Sequence, residues 1–480
     1  MFIKTGWLHV VWAGLLVWVL HICLSIWIAV ASGFTYIPIS SLWQVAPLEL
    51  LKNDLFGTLW HWQVQPPLFN LFIGLLAKIS IVWLPVVQHG IQIVLAGSVA
   101  AMALWIVWLV TRCAQIAFVA GVLVMLNPSL VLFAAYPLYD VITAWLVMLS
   151  CLWMAVFAAQ KERKNIWPIH LCAVTLVLLM MVRSLYHLVL LVPVAVLVCL
   201  MVGRRWKSVL LCLLLIFLPV FGWYVKNQMQ FGYWGTSSGI GLSFSKIATM
   251  GWSKAELAIL EREGKISPVV AAYPICYPLI MDASLYRVFG YIREGNHPVL
   301  NYENMNNINF IKISDDYKKS CIELIKANPY RYVRNVALSY SLYTNPCAQN
   351  TWLNNNGNRV AWYRDTYCRW ILGGWMGETI KKVTGRAVVP SYMTFLVAGL
   401  TIYGCVWLLT VCAGGWKSGF EKIVLNGSVV FMIGLISYTA IISNLFECGE
   451  QSRYAFYTEN IVILCVLILL YEYKKKRMVR

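Results

Sequence analysis

Apolar residues fall along this chain in long uninterrupted blocks, and a helix needs about 20 such residues to cross the hydrocarbon core of a bilayer. Blocks of that kind occupy residues 8–31, 91–110, 116–132, 141–158, 166–182, 188–202, 209–225, 392–411, 423–442 and 454–470. The pattern predicts an all-α polytopic membrane protein of about ten transmembrane helices. Between the seventh and eighth blocks lies a long polar stretch in which amphipathic segments such as 314–327 alternate with turn-rich pieces such as 354–358.

Lys and Arg fix an orientation for these spans, because cytoplasmic loops collect them. With Lys4 inside, Arg112, the cluster 161–164, the cluster 203–207, Lys417 with Lys422 and the tail 474–477 all fall on the cytoplasmic side. Both termini are then cytoplasmic, in a plasma (inner) membrane. One further apolar stretch, 67–85, contains Lys78 and opens on Pro66-Pro67. Counting it as a span would reverse the charge pattern, so it reads as a helix lying along the outer interface. Ala29-Val30-Ala31 resembles a signal-peptidase site, but the preceding stretch is long for a signal peptide.

Three regions follow: a transmembrane core over 1–225 with a first outer loop at 32–90, an extracytoplasmic segment over 226–390, and C-terminal helices with a basic tail over 391–480. Composition agrees, with 60% hydrophobic and 12% charged residues and a mean hydropathy of +0.70. The net charge of +18 points, in a membrane setting, to anionic lipid or a phosphate-bearing substrate and not to nucleic acid. The 14 cysteines show no metal-ligand spacing. Cys276, Cys321, Cys347 and Cys368 face an oxidising compartment in this topology, where Cys347 with Cys368 is a possible loop closure.

Ionisable groups at span ends are functional candidates, weighed against interfacial anchoring. The first outer loop offers Glu49 and Asp54, then His61-Trp62-Gln63-Val64-Gln65-Pro66-Pro67-Leu68-Phe69-Asn70, with Trp60 just before. Prolines there fix the backbone and place Gln65 and Asn70 near the membrane surface, although a Pro-started helix explains the pair equally well. Asp140 stands where a span begins and also suits a helix N-terminus. Arg183-Ser184-Leu185-Tyr186-His187 breaks two spans on the outer side, where a bound phosphate or snorkelling accounts for the Arg. Lys226-Asn227 precedes the small-residue run Gly235-Thr236-Ser237-Ser238-Gly239. That run matches a nucleophile-elbow pattern but follows a membrane span, not a strand, so donation to a phosphate or sugar is the better reading. Glu447, Glu450 and Arg453 gather at the mouth of the last span, with Glu459 deeper, as a site or as a local ion network.

In this order the chain resembles the C-type (GT-C) glycosyltransferases, especially bacterial relatives of the family 39 mannosyltransferases. The resemblance covers most of the length and rests on Gln65-Pro66-Pro67-Leu68, on Tyr139-Asp140 and on Glu450 with Arg453-Tyr454. It implies transfer of a sugar from a polyprenyl-phosphate donor to a glycan, lipid or protein acceptor on the outer face, with inversion. By the same resemblance Asp140 is the second catalytic acid, and Asp54, before Glu49, deprotonates the acceptor. Many members carry an acidic pair directly after the first span, whereas Gly33-Phe34-Thr35-Tyr36 has none. On chemical grounds Arg183, His187, Lys226 and Arg453 supply positive charge to the leaving phosphate, Trp60 or Trp62 faces the sugar, and Trp62, His61, Gln65, Asn70, Glu447 and Glu450 are the substrate-contact candidates. No cofactor is implied; a divalent metal is conceivable without support from ligand spacing. The rivals are a lipid-linked oligosaccharide ligase or polymerase and a transporter or flippase, although no internal repeat favours the last.

Overall fold

The computed structural model describes residues 2–160, 165–275, 283–302, 305–374, 392–413 and 416–479. All regular structure among them is helical. The basic cluster at 161–164, Cys276 and the boundary near 390 lie outside the described residues.

Among the described residues six helices are long and apolar enough to cross a membrane: Leu8–Ala31, Leu84–Thr111, Asp140–Ala158, Val209–Phe231, Gly427–Phe446 and Gln451–Met478. This is therefore a helical, multi-pass membrane protein. The expected span at 116–132 is instead a bent pair, Ala114–Met125 and Pro128–Ala134, with 44° between its halves. Asn127 and Pro128 cause the break: Pro128 lacks an N–H to continue the ladder, and the Asn127 side chain caps the second half at Ser129 N. Four further apolar helices are shorter, namely Pro67–Ile79, Trp167–Val182, Leu188–Val202 and Met393–Val406.

The expected interfacial helix over 67–85 ends sooner, at Ile79, and Pro85 belongs to the first turn of the next helix. The turn expected at 354–358 is part of a short helix, Asn354–Arg359. Cys321, Cys347 and Cys368 are free, buried thiols, so the proposed loop closure is absent.

Leu84–Thr111 forms the centre of the N-terminal bundle, packed between Phe2–Ala31, Ala114–Met125 and Asp140–Ala158. Gly97 permits the close approach, since a Cβ there would lie 2.8 Å from the Trp18 ring. The last helix packs on Asp140–Ala158 and on Trp416–Phe446, bringing the two ends of the sequence together. In the polar segment Ile240–Ala248 lies tightly on Ile308–Ala327. Gly241 is the contact point: its N–H donates to Ser314 Oγ at 3.1 Å, and any side chain at 241 would strike the Ser314 carbonyl.

Candidate active site

The helix pair Ile240–Ala248 and Ile308–Ala327 and the ends of several apolar helices enclose a cavity of about 1200 Å³. Of the residues singled out from sequence, Gln65, Arg183, His187, Glu447 and Glu450 lie on its wall, as do Tyr139, Tyr454 and most of the small-residue run 235–239. Asp140, Arg453, Lys226, Trp62 and Asn70 are buried close behind or beside the wall without lining it.

Arg183 terminates the Trp167–Val182 helix and lies across two aromatic faces, 4.7 Å from the Tyr139 ring and 5.1 Å from the Tyr454 ring. One of its nitrogens donates to the Tyr139 hydroxyl, and another approaches Glu450 at 3.7 Å. Arg453 is fully buried and holds two carboxylates at once, Asp140 at 3.1 Å and Glu450 at 2.9 Å. Tyr457 donates to Asp140 at 2.7 Å, which completes the acid's surroundings. Asp140 is therefore the anchor of Arg453 and does not cap its own helix. A buried ion pair endures only when its remaining lone pairs are satisfied, as here.

Lys246, on the cavity side of Ile240–Ala248, meets Glu447 at 2.7 Å and Glu450 at 3.9 Å. Neighbouring charge separates the two acids. Burial pushes the Glu447 carboxyl up to about 7, against the attraction of Lys246. Burial acts upward on Glu450 as well, but Arg453, Lys246 and Arg183 outweigh it and hold that carboxyl below its ordinary value. One wall thus carries a permanent carboxylate beside an acid tuned to take up or release a proton near neutrality.

The loop after Trp62 builds a second wall. Asn70 accepts from Ala46 N at 2.7 Å and donates to the Gln44 carbonyl at 3.1 Å, which sets Gln44 on the cavity. Lys226 donates to the Trp62 carbonyl and to Asn227 Oδ1, each at 3.1 Å, with its ammonium 4.2 Å from the Trp223 ring. Asn227 in turn donates to the Gly235 carbonyl at 2.7 Å. Lys226 and Asn227 therefore position the Gly/Ser run, and the cavity is lined by that run and not by Lys226. Ser237 donates to the Val64 carbonyl at 2.6 Å, an arrangement that leaves no nucleophile elbow.

The remaining candidates lie elsewhere. Glu49 is exposed. Asp54 caps the helix Leu55–Trp60 through Gly57 N and pairs with His297 at 3.2 Å, off the cavity wall. Hydrogen bonding from His297 and from Gly57 N lowers its pKa. His61 stacks on His297 with ring centroids 4.4 Å apart. Trp60 is exposed beside Lys226. His187 lines the cavity, and burial lowers its pKa, which works against a positive charge there. Glu459 accepts from Asn127 at 2.8 Å, Ser129 at 3.0 Å and Cys347 N at 3.1 Å, tying the bent pair to the last helix.

Sequence reasoning missed Lys246, Gln44 and a stripe on Ile308–Ala327 comprising Asn309, Lys312, Asp315 and Lys318, all on the cavity. Their three-residue spacing was visible, but nothing marked which face of that amphipathic helix turns inward. Among the described residues four lining side chains keep a polar atom without a partner: Gln44 Oε1, Gln65 Oε1, Asn309 Oδ1 and Arg183 Nε. The rest of the lining includes an apolar side, with Val189, Trp234 and Ile240 also exposed. Among the described residues no group of three His, Cys, Asp or Glu side chains converges as a metal set. No family model matches the chain, and no curated protein or solved structure does either.

Proposed function

We propose that the chain is a membrane glycosyltransferase of the GT-C type, moving a sugar from a polyprenyl-phosphate donor to an acceptor hydroxyl on the outer face of the membrane. The single observation that carries this reading is the lining of the large cavity. Three amide oxygens without donors suit sugar hydroxyls, Arg183 with a free Nε–H suits a phosphate oxygen, and an exposed apolar flank suits a lipid tail. An unpaired buried polar atom costs about 1–3 kcal/mol, so a ligand that turns each one toward itself recovers that cost as affinity.

In the proposed reaction the acceptor oxygen attacks the anomeric carbon and forms the new glycosidic bond. The bond from that carbon to the phosphate oxygen breaks, and its electron pair leaves with the polyprenyl phosphate. Arg183 and Lys246 face the charge that develops there. The acceptor proton passes to Glu447, whose pKa of about 7 is matched to a general base at neutral pH. Glu450 keeps Arg183 and Lys246 in place as a standing carboxylate, and Asp140 acts through Arg453 on Glu450. In this account Glu447 takes the role that the family resemblance assigns to Asp54.

The distribution of Lys and Arg supports cytoplasmic termini and an outward-facing cavity in the plasma membrane. With the bent pair as one span and the three shorter helices other than Pro67–Ile79 included, the count returns to about ten. Lipid extraction tests the reading. Cells lacking the chain should accumulate a polyprenyl-phosphate sugar and lack one sugar in an envelope glycan. Unchanged lipid and glycan pools would contradict it, and loss of a whole polymer would favour a ligase or polymerase instead.

A further inference from the structure

The cavity carries a second centre of positive charge, distinct from the Arg183 and Lys246 wall. Lys312 and Lys318 project from Ile308–Ala327, and Arg293 comes from the loop before it; all three are exposed and all three line the cavity. On a helix, residues three apart share a face, so Asn309, Lys312, Asp315 and Lys318 form one stripe. At a rise of 1.5 Å per residue the stripe is roughly 13 Å long.

Acid in the stripe does not neutralise it. Asp315 is engaged by Lys319 at 2.7 Å, and Asp316 accepts from the Tyr291 hydroxyl at 2.5 Å. Among the described residues neither Lys312, Lys318 nor Arg293 meets a carboxylate; Lys312 faces only the Tyr291 ring at 5.5 Å. Asn309 adds the unpartnered Oδ1 to the same face.

From this placement we infer an anion-binding acceptor subsite: the acceptor is a glycan bearing carboxylate or phosphate groups, held along the Asn309 to Lys318 stripe while its free hydroxyl reaches Glu447. The inference rests on the transferase reading and specifies its acceptor class. A glycan is favoured over a lipid headgroup because the cations line the same cavity as the proposed base, together with an amide oxygen that recognises hydroxyls. Exposed cations attract anions in a salt-dependent manner, with screening over about 10 Å at 0.1 M.

The test uses the full chain in phosphatidylcholine nanodiscs, titrated with trigalacturonic acid, glucose 6-phosphate and neutral maltotriose while tryptophan emission is followed. The acidic trimer should bind at least about fivefold more tightly than maltotriose, weaken with salt, and lose that advantage in a Lys312→Ala, Lys318→Ala double variant. Tighter binding of glucose 6-phosphate than of the trimer would assign the subsite to phosphorylated glycans. Equal binding of acidic and neutral sugars, or a preference that survives the double variant, would overturn the subsite. So would a preference abolished by phosphatidylglycerol in the disc, since the stripe would then hold lipid headgroups. Release of polyprenyl phosphate from a lipid-linked sugar, measured in the same discs, separates the two claims. Release without an acidic preference overturns the subsite alone, and the preference without release overturns the transferase reading alone.

Discussion

Two acid–base pairs in this protein join distant parts of the chain, and they differ in nearly every physical respect. Asp54 and His297 meet at 3.2 Å with the carboxylate more than half exposed. Asp140 and Arg453 meet at 3.1 Å with neither side chain exposed at all, and Arg453 passes the connection on to Glu450. Water screens the first pair, so it fastens a loop without shaping the chemistry around it. Protein alone surrounds the second, so every neighbouring charge alters its partners. The carboxyls of the cavity follow the second pattern. Glu447 and Glu450 are three residues apart, yet the buried cations hold one as a carboxylate and leave the other able to titrate near neutrality.

Breaking the buried network should have the largest effect. Arg453→Met strands buried Asp140 without its cation and takes from Glu450 the nearest of its three, and we expect a loss of about 3–5 kcal/mol, read by thermal unfolding of the detergent-solubilised full chain. Adding Asp140→Asn to that variant should restore part of the loss, because one uncompensated charge is gone.

Next in size, Glu447→Gln should fold normally and transfer sugar about 100-fold more slowly, as expected for loss of a general base. The wild-type rate should rise with pH through about 7, because the base acts once its proton is gone, and the variant should lack that limb. The stability term has the opposite sign. Since folding raises this carboxyl, its contribution is greatest below the ordinary Glu value and declines as pH climbs through about 7. Lys246→Met should move the rate limb to higher pH, because burial then acts on Glu447 without the opposing cation.

The smallest effect is expected at the exposed pair. Asp54→Asn should change transfer by less than about threefold and shift stability little, in line with a solvent-screened contact. A drop near that of Glu447→Gln would reverse the comparison and return the base to the first loop.

The sequence already shows the helices, because a lipid-exposed segment must satisfy its backbone internally and can carry few charges. It shows the break at Asn127-Pro128 less well, since the run stays apolar through it. Arg183, Glu447 and Glu450 stand out because charge at a span end is costly. So do Asp140 and Arg453, but which charge meets which does not. Arg453 meets Asp140 across 313 positions, and Lys246 sits on an unremarkable amphipathic helix whose facing is decided by Gly241 against Ser314. Asp54 illustrates the converse: an acid in a suggestive loop turns outward, caps a short helix and meets a histidine.

The central claim is that the Arg183 and Glu447 wall breaks a sugar–phosphate bond. It is tested most directly by reconstituting the full chain in proteoliposomes with lipid-linked sugars extracted from cells lacking it, together with their envelope glycans, and measuring free polyprenyl phosphate by mass spectrometry. The wild-type chain should release it and transfer the sugar, while Arg183→Ala and Glu447→Gln should each release at most about a hundredth as much. Intact lipid-linked sugar after incubation with the wild-type chain, or equal release by all three proteins, would contradict the account.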